Sequence, residues 1–284
     1  LKALLPGLLA GEVVSVIAAG NRIDGLTVPY PLKGRAKEDF RTGYTSDGQR
    51  LAFGAAASVS LSLAVPVCAN LVLFGPALAT VDDLSANLFV LGRYGSATVR
   101  GVHGNVYSHN IVPARVQDVT GDLWAKDEVD HRGVEWEKAQ VRRVGKAPGV
   151  RIRRHTGSVR LQCRNLLLDV AEVAGDIRIE NDFGSTRLSL TESWPSSQTA
   201  EVRSIAGQVS LDLAADADDR LGVGVWTECG VVDRGRWPTA SWYYNTQETI
   251  YLGTAPDAMQ ALEGKPADVQ IRTRAGNVRV VRKE

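Results

Sequence analysis

The chain has 284 residues, 33 of them basic and 32 acidic, for a formal net charge of +1. No global field therefore draws it onto nucleic acid or an anionic membrane, and an electrostatic partner has to meet a local patch. Glycine is abundant at 28 and methionine nearly absent at one, and valine, threonine and arginine fill the periodic segments, which suits strands and tight turns rather than a helical bundle.

From the N-terminus, the start at Leu1 without methionine is expected to mark a processed or trimmed end. Residues 1–19 are apolar, but Lys2, Pro6 and Glu12 interrupt them. A membrane span needs about twenty predominantly apolar residues, so no transmembrane span is expected and the segment reads as a packed or capping element. Gly11-Glu-Val-Val-Ser-Val-Ile17 has strand character, and Pro29 through Gly48 is rich in turn and charged residues. Residues 1–50 are therefore expected to form an N-terminal cap or edge segment, and residues 51–284 the periodic body. Ser58-Val-Ser-Leu-Ser-Leu63, within the apolar stretch 51–78, alternates like a strand.

The body repeats one phrase: glycine, a small or polar residue, then alternating apolar and polar residues. It begins at Gly95, Gly104, Gly121, Gly157, Gly175, Gly184, Gly207 and Gly276, at intervals of 9, 17, 36, 18, 9, 23 and 69 residues. The first five intervals lie near multiples of nine, as for a strand plus its turn, and the last two are expected to contain insertions. The alternation in Val150-Arg-Ile-Arg153 and Val159-Arg-Leu161 turns apolar residues inward and arginines outward. These features predict an all-β, single-domain β-solenoid. Two segments break the rhythm. One is 127–149. The other, 225–266, holds Trp226, Trp237, Trp242, Tyr243, Tyr244 and Tyr251 and is expected to be an aromatic C-terminal insertion, with a short helix over 257–264. Strand character returns at Asp268–Thr273 and Gly276–Val280, which are expected to close the body.

Val65-Pro66, Val119-Thr-Gly-Asp122, Val173-Ala-Gly-Asp176, Ile205-Ala-Gly207 and Ala275-Gly-Asn-Val278 carry a resemblance to the bacterial adhesin-type β-solenoid family, over residues 61–213 and 268–280. The resemblance implies a single-domain protein of the bacterial cell envelope or surface and brings no catalytic residues. The divergent first fifty residues and the aromatic segment depart from the family pattern.

Among individual residues, the Gly-Asp turns at Asp122 and Asp176 lack the density of calcium-binding repeats and read as turn chemistry. Asp122, Asp127, Glu128, Asp130 and His131 form the densest acidic cluster. Two carboxylates at controlled separation are what glycoside cleavage requires, but a charged run between periodic segments reads first as a solvated loop. No serine-elbow, phosphate-loop or zincin motif is present, and His103, His109, His131 and His155 do not fall at metal-ligand spacing. Cys68, Cys163 and Cys229 are odd in number and in no C-x-x-C pattern, which makes them ordinary thiols. No catalytic residue, metal or cofactor is therefore assigned.

Two candidate binding surfaces remain. Arg142, Arg143, Arg151, Arg153, Arg154 and Arg160 belong to a basic run with no acidic residue between them. If Arg151, Arg153 and Arg160 share a face, they form a stripe for an anionic polymer or for self-assembly. The alternative is a solvated face neutralised by Asp169, Glu172, Asp176 and Glu180. Asp212, Asp216, Asp218 and Asp219 offer an acidic counterpart to that stripe. Trp237, Trp242, Tyr243 and Tyr244 are either a plug for the solenoid end or a platform for a glycan or a second subunit. The expected function is a non-enzymatic, adhesin-like interaction protein that self-associates or binds another envelope protein or a polysaccharide. The alternatives are a β-helix enzyme acting on an acidic polysaccharide and a polymerising cytoplasmic scaffold. Nucleic acid is not an expected partner, because no aromatic residues interleave the basic run.

Overall fold

A computed structural model describes residues 13–19, 22–27, 42–44, 50–53, 70–74, 78–91, 96–110, 112–127, 149–192, 194–195, 197–215, 221–233, 235, 248–252 and 268–282. It is an all-β solenoid, and among the described residues there is no helix. Each coil supplies one strand to a 14-stranded sheet, here sheet A, and the next to a 9-stranded sheet, sheet B. The coils, written A strand then B strand, are β5 (Asn70–Phe74) and β6 (Leu78–Asp82), β7 (Leu88–Leu91) and β8 (Ser96–Val102), and β9 (Val106–His109) and β10 (Val112–Val119). They continue with β11 (Leu123–Lys126) and β12 (Gly149–His155), β13 (Val159–Cys163) and β14 (Leu167–Ala171), β15 (Ile177–Asn181) and β16 (Thr186–Ser189), and β17 (Ala200–Ser204) and β18 (Val209–Leu213). The strands of successive coils pair in parallel, from β5 to β17 in sheet A and β6 to β18 in sheet B.

Strand periodicity explains the core. In β13 the pattern Val159-Arg-Leu-Gln-Cys163 alternates buried and exposed at every step, and its inward residues meet those of sheet B. Val106, Leu123, Val159 and Ile177 stack one above another and are all at most 2% exposed. Burying a side chain of this size stabilises by about 1.5–3 kcal/mol, repeated once per coil, so each coil needs its neighbours to complete its core.

The two corners are held by different ladders. At the turn from sheet B to sheet A, Gly104, Gly121, Gly157 and Gly175 stack so closely that a Cβ on any of them would overlap the backbone of the coil before. Beside them an Asn/Asp ladder runs along the axis. Asn87 Oδ1 accepts the Asn105 amide at 2.9 Å, Asn105 Oδ1 that of Asp122 at 2.9 Å, and Asp122 Oδ1 that of Ser158 at 2.9 Å. Asp176 Oδ1 does the same for Thr199 at 2.8 Å. Asp122 and Asp176 are therefore turn residues whose carboxylates satisfy backbone donors. At the turn from sheet A to sheet B, Gly184, Gly207, Gly276 and Gly230 stack likewise, and Ser204 Oγ and Thr227 Oγ1 accept the amides of Gly207 and Gly230 at 2.8 and 2.9 Å. Before the last inward residue at the ends of β6, β8, β10, β12 and β14, Asp83, Gly101, Asp118, Arg154 and Glu172 in turn adopt φ of 49 to 59°. That left-handed conformation costs a non-glycine residue on the order of 1 kcal/mol, and here it recurs coil by coil as the way the chain leaves sheet B.

Three expectations are revised. The 36-residue interval is one coil rather than several units, since β11 pairs directly with β13 and residues 128–148 lie outside the described residues. The segment expected as an insertion from 225 begins as a regular coil: β19 (Val223–Thr227) and β20 (Val232–Asp233) repeat the pattern, with Trp226 on β19. Finally, β22 (Val269–Thr273) and β23 (Val278–Arg282) close the chain but not the stack. They lie between β17 and β19 in sheet A and between β18 and β20 in sheet B. The outer side of β19 is paired antiparallel with β21 (Glu248–Leu252). At the other end, β1 (Val13–Ala19) pairs in parallel with β5 and antiparallel with β2 (Arg22–Thr27), and β4 (Arg50–Phe53) and β3 (Thr42–Tyr44) follow antiparallel. The predicted strand at 11–17 is thus present as β1. Residues 58–63 and 257–264 lie outside the described residues.

Candidate interaction surface

The inward half of each strand is committed to the core, so chemistry available to a partner sits on the two outer faces and at the corners. The structure divides the basic run among all three. Arg151 and Arg153 project from β12 on the outer face of sheet B and converge on Asp169 of the next coil, through Arg151 Nε at 3.4 Å and Arg153 Nη2 at 2.6 Å. Arg153 Nη1 also donates to the carbonyls of Ile152 and Asp169 at 2.7 and 3.0 Å. Arg154 sits at the corner, where its Nε and Nη2 donate to the two carboxylate oxygens of Asp118 at 2.6 and 2.7 Å. Arg160 lies on β13, on the outer face of sheet A. The condition that Arg151, Arg153 and Arg160 share a face is not met, because the consecutive strands β12 and β13 belong to opposite sheets. Arg142 and Arg143 lie outside the described residues.

Sheet B's outer face continues in the same style. Arg187 donates to Asp212 Oδ2 through Nε at 2.8 Å and Nη2 at 2.6 Å, and Ser189 Oγ reaches the same oxygen at 3.3 Å. The hydrogen bond to Asp212, and then that carboxylate's charge, push the Arg187 guanidinium further up. Asp212 is thus spent on its own coil stack rather than offered as an acidic counterpart. Asp216, Asp218 and Asp219 lie outside the described residues.

Sheet A's outer face is different. Phe89, Tyr107 and Trp124 occupy the same register position on β7, β9 and β11, and Arg160 and Arg178 continue that column on β13 and β15. The rings of Phe89 and Tyr107 stack with centroids 5.0 Å apart and planes 9° from parallel. Phe89 is fully covered although it faces away from the inner core, whereas Tyr107 and Trp124 are half-buried and Arg160 is exposed. Arg178 meets Glu180 at 3.1 Å and Glu201 at 3.7 Å. Arg160 makes no ion pair with a described residue. The column therefore passes from flat apolar rings to a guanidinium with open donors within adjacent strands, which lie about 4.8 Å apart.

Sequence reading overlooked Tyr107 and Trp124. Their signal is positional: counted from the corner glycine, Tyr107, Trp124, Arg160 and Arg178 are each the third residue on. The aromatic residues singled out instead, Trp237, Trp242, Tyr243 and Tyr244, lie outside the described residues, as do Glu128, Asp130 and His131. Of the acidic cluster, Asp122 is a rung of the corner ladder, and Asp127 is 5% exposed at the end of β11, its amide bonded to the Gln162 carbonyl at 2.8 Å. Cys163, the residue in register beyond Gln162, is buried, and burial first, with the charges of Asp127 and Asp182 adding to it, pushes its thiol well above the usual range. Cys229 is a free, exposed thiol. Among the described residues no group of three or more His, Cys, Asp or Glu side chains is placed to hold a metal ion, and no helix is long and apolar enough to cross a membrane. No family model matches the chain, and no curated protein or solved structure matches it.

Proposed function

We propose that this is a non-enzymatic, adhesin-like protein that uses the outer face of sheet A to bind an anionic glycan polymer at a bacterial cell envelope or surface. The observation that carries the reading is the column Tyr107, Trp124, Arg160 on three adjacent strands. Half-buried aromatic rings offer flat, rigid area to the apolar faces of sugar rings. The neighbouring guanidinium matches a carboxylate or sulfate geometrically and by charge. The stiffness of the coil stack supports a display role, since the column's spacing is fixed by backbone pairing on both sides. Sheet B's face suits this role less well, because its strands carry no phenylalanine, tyrosine or tryptophan and its arginines at positions 151, 153 and 187 are already engaged by Asp169 and Asp212.

The test is binding of the full chain to uronate-containing, sulfated and neutral polysaccharides across a salt series, with Arg160→Glu beside the wild type. The reading expects binding to the anionic polymers that weakens with salt, and at least a tenfold loss in Arg160→Glu. Equal binding to neutral and anionic polymers, or an unchanged affinity in the variant, would overturn it.

A further inference from the structure

The last two coils occupy the stack in the reverse of their chain order, and their corner residues explain why. Coil 268–282 carries acceptors at both corners. Asp268 Oδ2 takes the Gly222 amide at 2.7 Å, and Asn277 Oδ1 takes the Val231 amide at 3.0 Å. Coil 221–233 has Gly222 and Val231 at those two positions and no side-chain acceptor to hand on, so it suits the end of the stack. The coil made for the interior is therefore synthesised after the coil made for the end. It has to enter a slot whose far wall is already part of the chain.

The walls of that slot are alike. Ala200, Val202 and Ser204 on one side and Val223, Val225 and Thr227 on the other meet the same three residues of β22, Val269, Ile271 and Thr273. Without the inserted coil, the outer coil can close onto β17 and β18 in matching register. With it, both sheets gain a strand paired on each side. Nothing in these backbone ladders identifies which chain supplies the insert. Residues 253–268, between β21 and β22, span about 50 Å when extended at roughly 3.3 Å per residue, many times one strand spacing. The tether therefore does not confine the final coil to its own slot.

We propose that the slot is a strand-acceptor site for a second copy of this chain, in which residues 268–282 of each protomer fill the slot of the other in a reciprocal, coil-swapped dimer. The proposal is independent of the glycan reading. Arg203 and Arg272 test it directly, because they are exposed register partners on the outer face of β17 and β22, and neighbouring strands place Cα atoms within disulfide range. In a full-length Cys229→Ser background, Arg203→Cys and Arg272→Cys chains are unfolded together, refolded at rising protein concentration and oxidised. The Arg203→Cys/Arg272→Cys double variant is carried in parallel. The proposal expects a covalent heterodimer joined between positions 203 and 272, its yield rising with concentration, and an internally closed monomer from the double variant refolded dilute. Internal closure in the double variant with no heterodimer from the mixed single variants would overturn the exchange. Failure of internal closure would overturn the slot itself.

Discussion

The corners and the outer faces of this solenoid obey different rules. At the corners successive coils draw on one small set of solutions: a glycine against the backbone of the coil before, a side-chain oxygen on the amide of the next coil, and a valine, leucine or isoleucine stacked inward. On the outer faces the same register position changes from coil to coil, from Phe89 through Tyr107 and Trp124 to Arg160 and Arg178 on sheet A. Uniformity marks what the stack needs in order to exist, and variation marks where a partner can be specified. Substitutions of the stacked corner glycines and of buried groups that hold the backbone are therefore expected to break folding. Those on the faces should cost folding less.

The largest effect is expected at a stacked glycine. In Gly157→Ala the new Cβ overlaps the backbone carbonyl of Gly121 and the amide of Asp122, neither of which can rotate away. A loss of about 4 kcal/mol or more is expected in urea unfolding, in the range reserved for severe core damage. Asn181→Ala comes next. Asn181 is fully buried, its Nδ2 donates to the Leu166 carbonyl at 2.9 Å and to Thr186 Oγ1 at 3.2 Å, and its Oδ1 accepts the Leu166 amide at 3.3 Å. Leaving those groups unpaired is expected to cost about 2–3 kcal/mol in the same assay. Arg154→Ala, on the exposed corner pair with Asp118, should cost less than about 1 kcal/mol, and the difference should shrink in high salt.

His155 sharpens the comparison rather than breaking it. It is 1% exposed, its Nε2 lies 3.2 Å from the Ser158 carbonyl, and it stacks in a column whose neighbours are Val119 and Val173. Burial lowers its pKa, with the Ser158 carbonyl and the Asp122 carboxylate opposing that shift more weakly. The unfolded chain therefore binds the proton more readily than the folded one. Stability on this account is level above the ordinary histidine pKa of about 6.5 and falls as pH drops below it. His155→Val restores the column's usual residue and should remove this part of the acid sensitivity. Thermal melts of the two proteins at pH 7.5 and pH 5 check it: the gap between the two pH values should narrow in the variant.

The solenoid was legible in the sequence because its strongest constraints are local. Alternation in Val159-Arg-Leu161 and the spaced glycines report the strand period and the tight corners without any long-range information. The order of the last two coils was not, because β19 and β22 present equivalent patterns and only Asp268 and Asn277, against Gly222 and Val231, distinguish an interior coil from an end coil. Whether the basic run forms one stripe was not legible, for a related reason. Alternation says whether Arg151 and Arg160 point outward, but not that a corner between them sends them to opposite faces. Tyr107 and Trp124 were overlooked because each is unremarkable in its own segment and becomes a column only when successive coils are superposed.

The most direct test of the division between corners and faces is one protein read two ways. Tyr107→Ser/Trp124→Thr alters two positions of the sheet A column and no corner, so its urea unfolding and its binding to a sulfated or uronate polymer should part company. The expected result is a stability loss of about 1–3 kcal/mol, from the lost stack on Phe89 and the half-buried ring area, smaller than that of Gly157→Ala, with affinity reduced at least tenfold. Unchanged affinity in the folded variant would contradict the assignment of this face.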